Sequence, residues 1–399
     1  MDLKKWLRFP KDEVLGLDIG SSAVKMVALR KDNSGYTVDA AAIAEIAPSD
    51  NSNQRKINTI RAIHDCLKSA GTKRKLAVCG ISGPEVAVRD FEFPLLDTEE
   101  ISGAVRLEAS QVCPFNTNDG AVDYQIISDL SRRCPDTADT QAETSSPASP
   151  PKDASRRDGQ ANDQSDNKTK GVLVAATNKL INSKVQFAKE AHLKCVLMDV
   201  DGLALLNCFN ELADEDLRTK GARAILNAGA SNMSIAVMGA NGWPFIRDMA
   251  YAGNDIIEQI ATEKNIPTES VKEMLFGNSQ AAGVELNHSL EQACRKVIDD
   301  IDETLRFYSA QVKSTTVDRI FVCGGFALAA GFVELLSSQL GIEAVFWNPF
   351  EKLRSDIPKP GSARLSSPKP GQDNRQYQDF FTKNGSVMAV AAGLAMRSI

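Results

Sequence analysis

The alternation of apolar and polar positions divides the chain into short strands and amphipathic helices separated by one long polar gap. Val14, Leu15 and Leu17 form an apolar run ending at Asp18; a turn follows at Gly20, Ser21 and Ser22, and a second run to Leu29 is interrupted by Lys25. This is strand, turn, strand, and Tyr36 to Ile43 adds a third strand after a turn at Lys31 to Gly35. Ile57, Ile60, Ile63, His64 and Leu67 fall at helical spacing before a stop at Gly71, and Leu76 to Ile81 is a short buried strand broken by Ser82, Gly83 and Pro84. Val86 to Phe93 is a strand stopped by Pro94. A helix then opens near Thr98, carries Ile101, Val105 and Leu107, and ends by Pro114, after which Val122 to Leu130 alternates as a strand.

Residues Ser131 to Lys170 contain no Leu, Ile, Val or aromatic side chain. Such a segment cannot bury enough apolar surface to offset its ordering entropy, so a disordered insertion is expected there, with a strand resuming at Gly171 to Ala176. A helix at Asn178 to Ala191, a strand at Lys194 to Val200 and a helix at Leu203 to Leu212 follow. Ala224 to Ile246 then repeats the opening arrangement: an apolar run, a polar residue at Asn227, a turn at Gly229, Ala230 and Ser231, a second strand, a Gly-Asn turn and a third strand. Helices are expected at Asp255 to Lys264, Thr268 to Phe276 and Ser289 to Lys313, then a strand at Arg319 to Cys323, a Gly324-Gly325 turn, a helix at Ala329 to Leu340 and a strand at Ile342 to Trp347. Ile357 to Arg375, with two PKPG runs, reads as a loose loop, and Val387 to Met396 as a closing helix of small residues.

Composition narrows the function classes. A chain of 399 residues with 43% hydrophobic and 25% charged content has an ordinary globular balance and room for more than one core. A net charge of -6 gives no footprint for nucleic acid. The 8 cysteines are dispersed without a CxxC pair, so buried reduced thiols are expected rather than zinc ligands. The longest apolar run, Ile320 to Leu336, is broken by glycines and contains Glu334, whereas a bilayer span needs about 20 apolar residues. The start, with Trp6, Leu7 and Phe9 among basic residues, lacks the apolar core of a secretory signal and reads as an arm.

Chemistry enters at the two hairpins. Glycine lets the backbone approach a ligand, and successive N–H groups of the Gly20 to Ser22 turn, with two hydroxyls, form a concavity for phosphate oxygens; Lys25 adds a positive charge. A carboxylate beside phosphate holds Mg²⁺ or its waters, which is the role expected of Asp18. The plainer alternative is an ordinary Gly-Ser hairpin; the second copy favours two similar domains gripping one phosphate chain. Asp199 and Asp201 end a strand, where acids serve either as cation ligands or as a helix cap. Asp201, before Gly202, suits the cap, which leaves Asp199 as the candidate for metal or catalysis.

DIGSSAVK, the second Gly turn and FVCGGFALAAGF resemble the actin, Hsp70 and sugar-kinase ATPase superfamily. RLEASQVCPF, LMDVDGLAL, NPFEKL and the terminal VMAVAAGLAMR further resemble the PilM family, actin-like type IV pilus assembly proteins related to FtsA. The resemblance implies an α/β actin-like ATPase fold: two duplicated ribonuclease-H-like domains, residues 12–85 with 196–220 and residues 221–399, and an FtsA/PilM-type small domain inserted at 86–195. Within the second domain it implies a small subdomain near 254–288, a loop near 357–378 and a final helix at 387–397. It also implies ATP and Mg²⁺ as cofactors, with Gly324, Gly325 and Phe326 as an adenosine turn and Gly253, Asn254 and Lys272 completing the contacts.

For partners, the resemblance implies a cytoplasmic protein held at the inner membrane by the N-terminal tail of a single-span PilN-like protein. Pilus motor ATPases and a homo-oligomer are further candidates. The tail is expected near Arg106, Cys113, Pro114 and Phe115, with Phe115 anchoring its own turn as the alternative. An FtsA-like division protein would carry an amphipathic tail after the last helix, and a small-molecule kinase would need a general base and an acceptor cleft; neither is seen. Asn227 stands where the superfamily more usually has an acid, so nucleotide binding with slow hydrolysis is expected.

Overall fold

The computed structural model describes residues 14–33, 35–127, 168–213, 222–239, 242–277, 280–311, 316–355 and 374–397. The first half contains β1 (Leu15–Ile19), β2 (Ala23–Asp32), β3 (Gly35–Glu45), α1 (Ser52–Ala70), β4 (Leu76–Ile81), β5 (Val86–Pro94), α2 (Thr98–Val112), β6 (Gly120–Ile126), β7 (Lys168–Thr177), α3 (Asn178–Glu190), β8 (Lys194–Val200) and α4 (Asp201–Leu212). The second contains β9 (Ala222–Ala228), β10 (Met233–Met238), β11 (Pro244–Met249), α5 (Gly253–Lys264), α6 (Thr268–Phe276), α7 (Gln280–Gln311), β12 (Val317–Cys323), α8 (Phe332–Leu340), β13 (Glu343–Phe346), β14 (Arg354–Ser355), α9 (Asn374–Asn384) and α10 (Ala389–Ala395).

The repeat seen in the sequence extends to whole sheets. The first orders its strands β14-β3-β2-β1-β4-β8 and the second β11-β10-β9-β12-β13, so each contains an antiparallel three-stranded meander continued by two parallel strands. Parallel neighbours need crossovers, and helices supply them: α1 leads from the first meander to β4, and α5 to α7 lead from the second to β12. This is the actin-like ATPase fold.

Each sheet is covered on both faces, which is why β1 is buried at every position. Leu15, Leu17, Val24 and Met26 pack under Ile63 and Cys66 of α1 and Ala188 of α3. The outer face of the second sheet packs Leu226, Ile235 and Val322 against Ile256, Val297 and Phe332 of its helices. Between the sheets lie α4 and α10, where Leu205, Leu206 and Phe209 meet Ile225, Ala236 and Phe321 of the second sheet and Val390 and Leu394. The small side chains of α10 allow contact at backbone range: a Cβ on Gly16 would stand 2.0 Å from the Ala391 carbonyl oxygen.

Several local readings differ from the structure; the longest helix, for one, begins at Gln280 rather than Ser289. Strand β7 begins at Lys168, inside the expected insertion, because ladder pairing to β5 uses backbone groups and Lys168 and Lys170 both pair with Glu92. The rest of the insertion, residues 131–167 with Cys134, lies outside the described residues, as do residues 128–130 of the expected strand, the N-terminal arm and the PKPG runs. Helix α9 occupies the end of the expected loose loop, since Phe381 stacks on Phe350 at 4.7 Å and Asn348 Nδ2 donates to the Phe381 carbonyl. Leu107 of α2, placed on the apolar face by spacing, is 63% exposed, while Ile101, Val105 and Ala109 are buried. The small sheet β5-β7-β6 packs on α2, and Ala188 of the following α3 packs into the core under the first sheet.

Candidate functional site

The polar residues left inside this apolar framework gather where strands of the two sheets end. Asp18 and Lys25 are paired across β1 and β2, and the Lys25 ammonium lies 3.1 Å from the Asp18 carboxylate. Gly20 is required beside them: its N–H donates to the Ala23 carbonyl, and a Cβ there would stand 2.9 Å from Lys25 Nζ. The turn therefore spends the Gly20 N–H internally and presents the N–H groups and hydroxyls of half-buried Ser21 and exposed Ser22.

The second lobe offers a matching row. Asn227, Ser234 and Asp248 are register neighbours on β9, β10 and β11, on the sheet face that also carries Ile225, Ala236 and Ile246 toward α4. A Cβ on Gly324, whose φ is +93°, would stand 2.5 Å from Asn227 Oδ1, so the amide lies against the Gly324-Gly325 turn. Burial, then the nearby Cys208 and Asp18, raise the pKa of the Cys323 thiol, which precedes this turn. The Gly229 to Ser231 turn is tied to α5: Gly253 N–H donates to the Gly229 carbonyl and Asn254 N–H to the Ala230 carbonyl, while Asn254 Nδ2 donates to Ser231 Oγ. Gly253 and Asn254 thus hold the turn rather than present those two N–H groups to a ligand.

Two candidates stand apart. Phe326 is buried against Gly253, Phe276 and Phe332, so it anchors the glycine turn and offers no open ring. Lys272 pairs with Glu269 at 2.7 Å on the surface of α6.

Neither acid at the end of β8 caps α4, whose N-cap is Val200 without a side-chain cap hydrogen bond. Asp199 is paired with Arg397 at 3.0 Å; burial raises its pKa and the guanidinium pulls it back. Asp201 is the first residue of α4. Burial, then the Asp18 charge, push its pKa up to about 7, against the Ser82 hydroxyl and Lys184, which favour the anion. Gly80 leaves room for it, since a Cβ there would stand 2.2 Å from Asp201 Oδ1. Asp248 of the second lobe accepts the Gly83 N–H at 2.7 Å, and its pKa is raised by burial against that bond and its neighbours Ser234 and Asn232.

Ser82, Lys184, Asp201 and Asp248 therefore join the candidate set. Only Asp201 carried a signal in the sequence, and the Gly202 that follows it pointed to a cap. Asp201 Oδ1 and Asp248 Oδ1 are buried without a hydrogen-bond partner, a costly arrangement that a ligand or cation would relieve. No three His, Cys, Asp or Glu side chains among the described residues gather at metal-holding distance. That donor set suits Mg²⁺ shared between one or two carboxylates, phosphate oxygens and water rather than an all-protein cage.

A sequence model of the type IV pilus assembly protein PilM matches residues 16–142 and 158–399. The chain belongs to the PilM family. Among solved structures, this PilM-family chain is similar to one described as the PilM-PilN type IV pilus biogenesis complex, at 21% identity and a TM-score of 0.73, covering 97% of this chain and 99% of that one. It is also similar to the ethanolamine utilization protein EutJ from Carboxydothermus hydrogenoformans, at 13% identity and a TM-score of 0.50, with 97% and 90% covered. No helix among the described residues is long and apolar enough to cross a membrane.

Of the four residues expected at a partner surface, Arg106 lies within α2 and Cys113, Pro114 and Phe115 follow its last residue, Val112. Arg106 and Pro114 are exposed, and Cys113 and Phe115 half-buried. Cys113 packs on the core of Phe91, Ile101 and Leu173.

Proposed function

We propose that this PilM-family chain binds ATP·Mg²⁺ between its two actin-like lobes and, so loaded, acts as a cytoplasmic adaptor that holds the N-terminal tail of a PilN-like inner-membrane protein during pilus assembly. The supporting observation is the Ser82-Gly83 turn, which is gripped by Asp201 of the first lobe and Asp248 of the second and opens directly into β5 of the inserted domain. A ligand that changes how the lobes approach each other would act on both ends of that turn. The first-lobe phosphate contacts are assigned to Ser21, Ser22 and Lys25, and the second-lobe contacts to Ala230 and Ser231. Gly20, Gly229 and Gly324 keep the backbone free of side chains that would fill the space.

Asp18 and Asp201 are the carboxylates that would hold Mg²⁺, which would supply positive charge beside the phosphates. Asn227 brings no negative charge to a water, so nucleotide sets lobe closure and turnover is slow. The tail is assigned to the end of α2 at Arg106, Cys113, Pro114 and Phe115. Two titrations test the reading: ATP·Mg²⁺ into the parent and Asp18→Ala, and a PilN-type tail peptide into the parent and Phe115→Ala. Undiminished Mg²⁺-dependent affinity in Asp18→Ala would overturn the nucleotide assignment, and unchanged peptide affinity in Phe115→Ala the tail assignment.

A further inference from the structure

We infer that Lys184 of α3 is a second phosphate-binding lysine of the first lobe, recognising the charge of the polyphosphate and not the nucleoside; this rests on the nucleotide reading above. Lys184 stands in the row Leu180, Lys184, Ala188, spaced four apart on one side of α3. Ala188 is buried in the core under the first sheet and Leu180 packs against the layer between the lobes, so packing alone would place an apolar residue at position 184. The ammonium instead runs along the sheet to its edge and donates to the Ile19 carbonyl at 2.6 Å, one residue before the Gly20 turn.

That bond uses one of three ammonium hydrogens and leaves two to point elsewhere. The charge on Lys25 is matched by Asp18, so the pair adds little net attraction for a polyanion. Lys184 is held by a carbonyl, which positions the ammonium without neutralising it. The bond to Ile19 sets the ammonium at the end of β1, and its charge favours the anionic form of Asp201. Asp18, Asp201 and Asp248 facing Lys25 alone would make an acidic floor that repels phosphate; the second cation corrects that balance.

Lys184→Met removes the charge and keeps the length of the packed stem, and Lys184→Arg keeps the charge. Calorimetric titration with ATP·Mg²⁺, ADP·Mg²⁺ and adenosine is paired with thermal shift in inorganic tripolyphosphate. The expected result for Lys184→Met is about a tenfold or greater loss for ATP, a smaller loss for ADP and none for adenosine. Its tripolyphosphate shift, measured from its own ligand-free melting temperature, should be reduced relative to the parent's. Lys184→Arg should recover most of the ATP affinity. Equal ATP affinity in Lys184→Met and the parent overturns the inference and spares the nucleotide reading. An equal loss for adenosine reduces Lys184 to a packing residue, and a parent that binds neither ATP nor tripolyphosphate overturns both.

Discussion

The Asp248 carboxylate accepts the Gly83 N–H at 2.7 Å, joining β11 of the second lobe to the turn from which the inserted domain departs. Gly83 has φ of +98°, a conformation that glycine adopts without strain, and this aims its N–H out of the first sheet and across the cleft. One hydrogen bond therefore connects all three sheets, because the same turn ends β4 and begins β5.

Loss of the acceptor should be felt in stability and locally. Asp248→Ala leaves a buried N–H without a partner, at a cost of about 1–3 kcal/mol, whereas the amide oxygen of Asp248→Asn can still accept. Denaturant unfolding should rank Ala below Asn, and amide exchange at Gly83 should quicken in Asp248→Ala alone. Unchanged Gly83 exchange in Asp248→Ala would show that the bond does not persist in solution.

Asp201 should make the ligand-free protein sensitive to alkali. Its pKa is pushed up to about 7 in the folded chain from the ordinary carboxylate value of 3.8, so between those values the folded state keeps a proton that the unfolded state has released. Stability then falls as pH rises toward 7 and levels off above it. Asp201→Asn, which cannot ionise, should flatten the fall and be the more stable protein at pH above about 7. Melting temperatures across that range, measured in chelator, decide it; parallel curves for parent and variant would count against the burial argument.

One substitution should have opposite signs at two glycines. Gly16→Ala would set a Cβ 2.0 Å from the Ala391 carbonyl oxygen and 2.6 Å from the Ala395 nitrogen, both backbone atoms of α10 that cannot rotate away. Overpacking of that kind costs about 1–3 kcal/mol or more. Gly103 lies in α2 with nothing within 4 Å of a Cβ, so Gly103→Ala should stabilise by about 0.4–1 kcal/mol. Urea unfolding of the two variants measures both, and a harmless Gly16→Ala would mean that α10 sits farther from β1.

Asn227 sets the expectation for turnover. Single-turnover hydrolysis of ATP by the parent should be very slow, and Asn227→Asp should raise it by restoring a carboxylate in the second lobe, with little change in ATP affinity. Vigorous hydrolysis by the parent would defeat the switch reading, in which nucleotide is held rather than spent.

What was legible in the sequence is what neighbouring residues decide among themselves. The Asp18 to Lys25 hairpin, its second copy at Asn227 to Ser231 and most helices follow from alternation, turn residues and stops within a few positions. The repeat order of the two sheets follows from the duplication. Tertiary structure decided which polar residues meet. Alternation assigns Asp199 and Asp201 to one side only while both are in a strand; Asp201 already belongs to α4, and Arg397 from the far end of the chain claims Asp199. Lys184 reads as an ordinary charge on a helix until its long stem is seen to reach Ile19, and Asp248 as a strand-end acid until Gly83 lies opposite it. Helix α9 exists where Phe381 has Phe350 to stack on. Each of these outcomes depends on a partner far away along the chain, and no pattern within a short window of sequence carries that information.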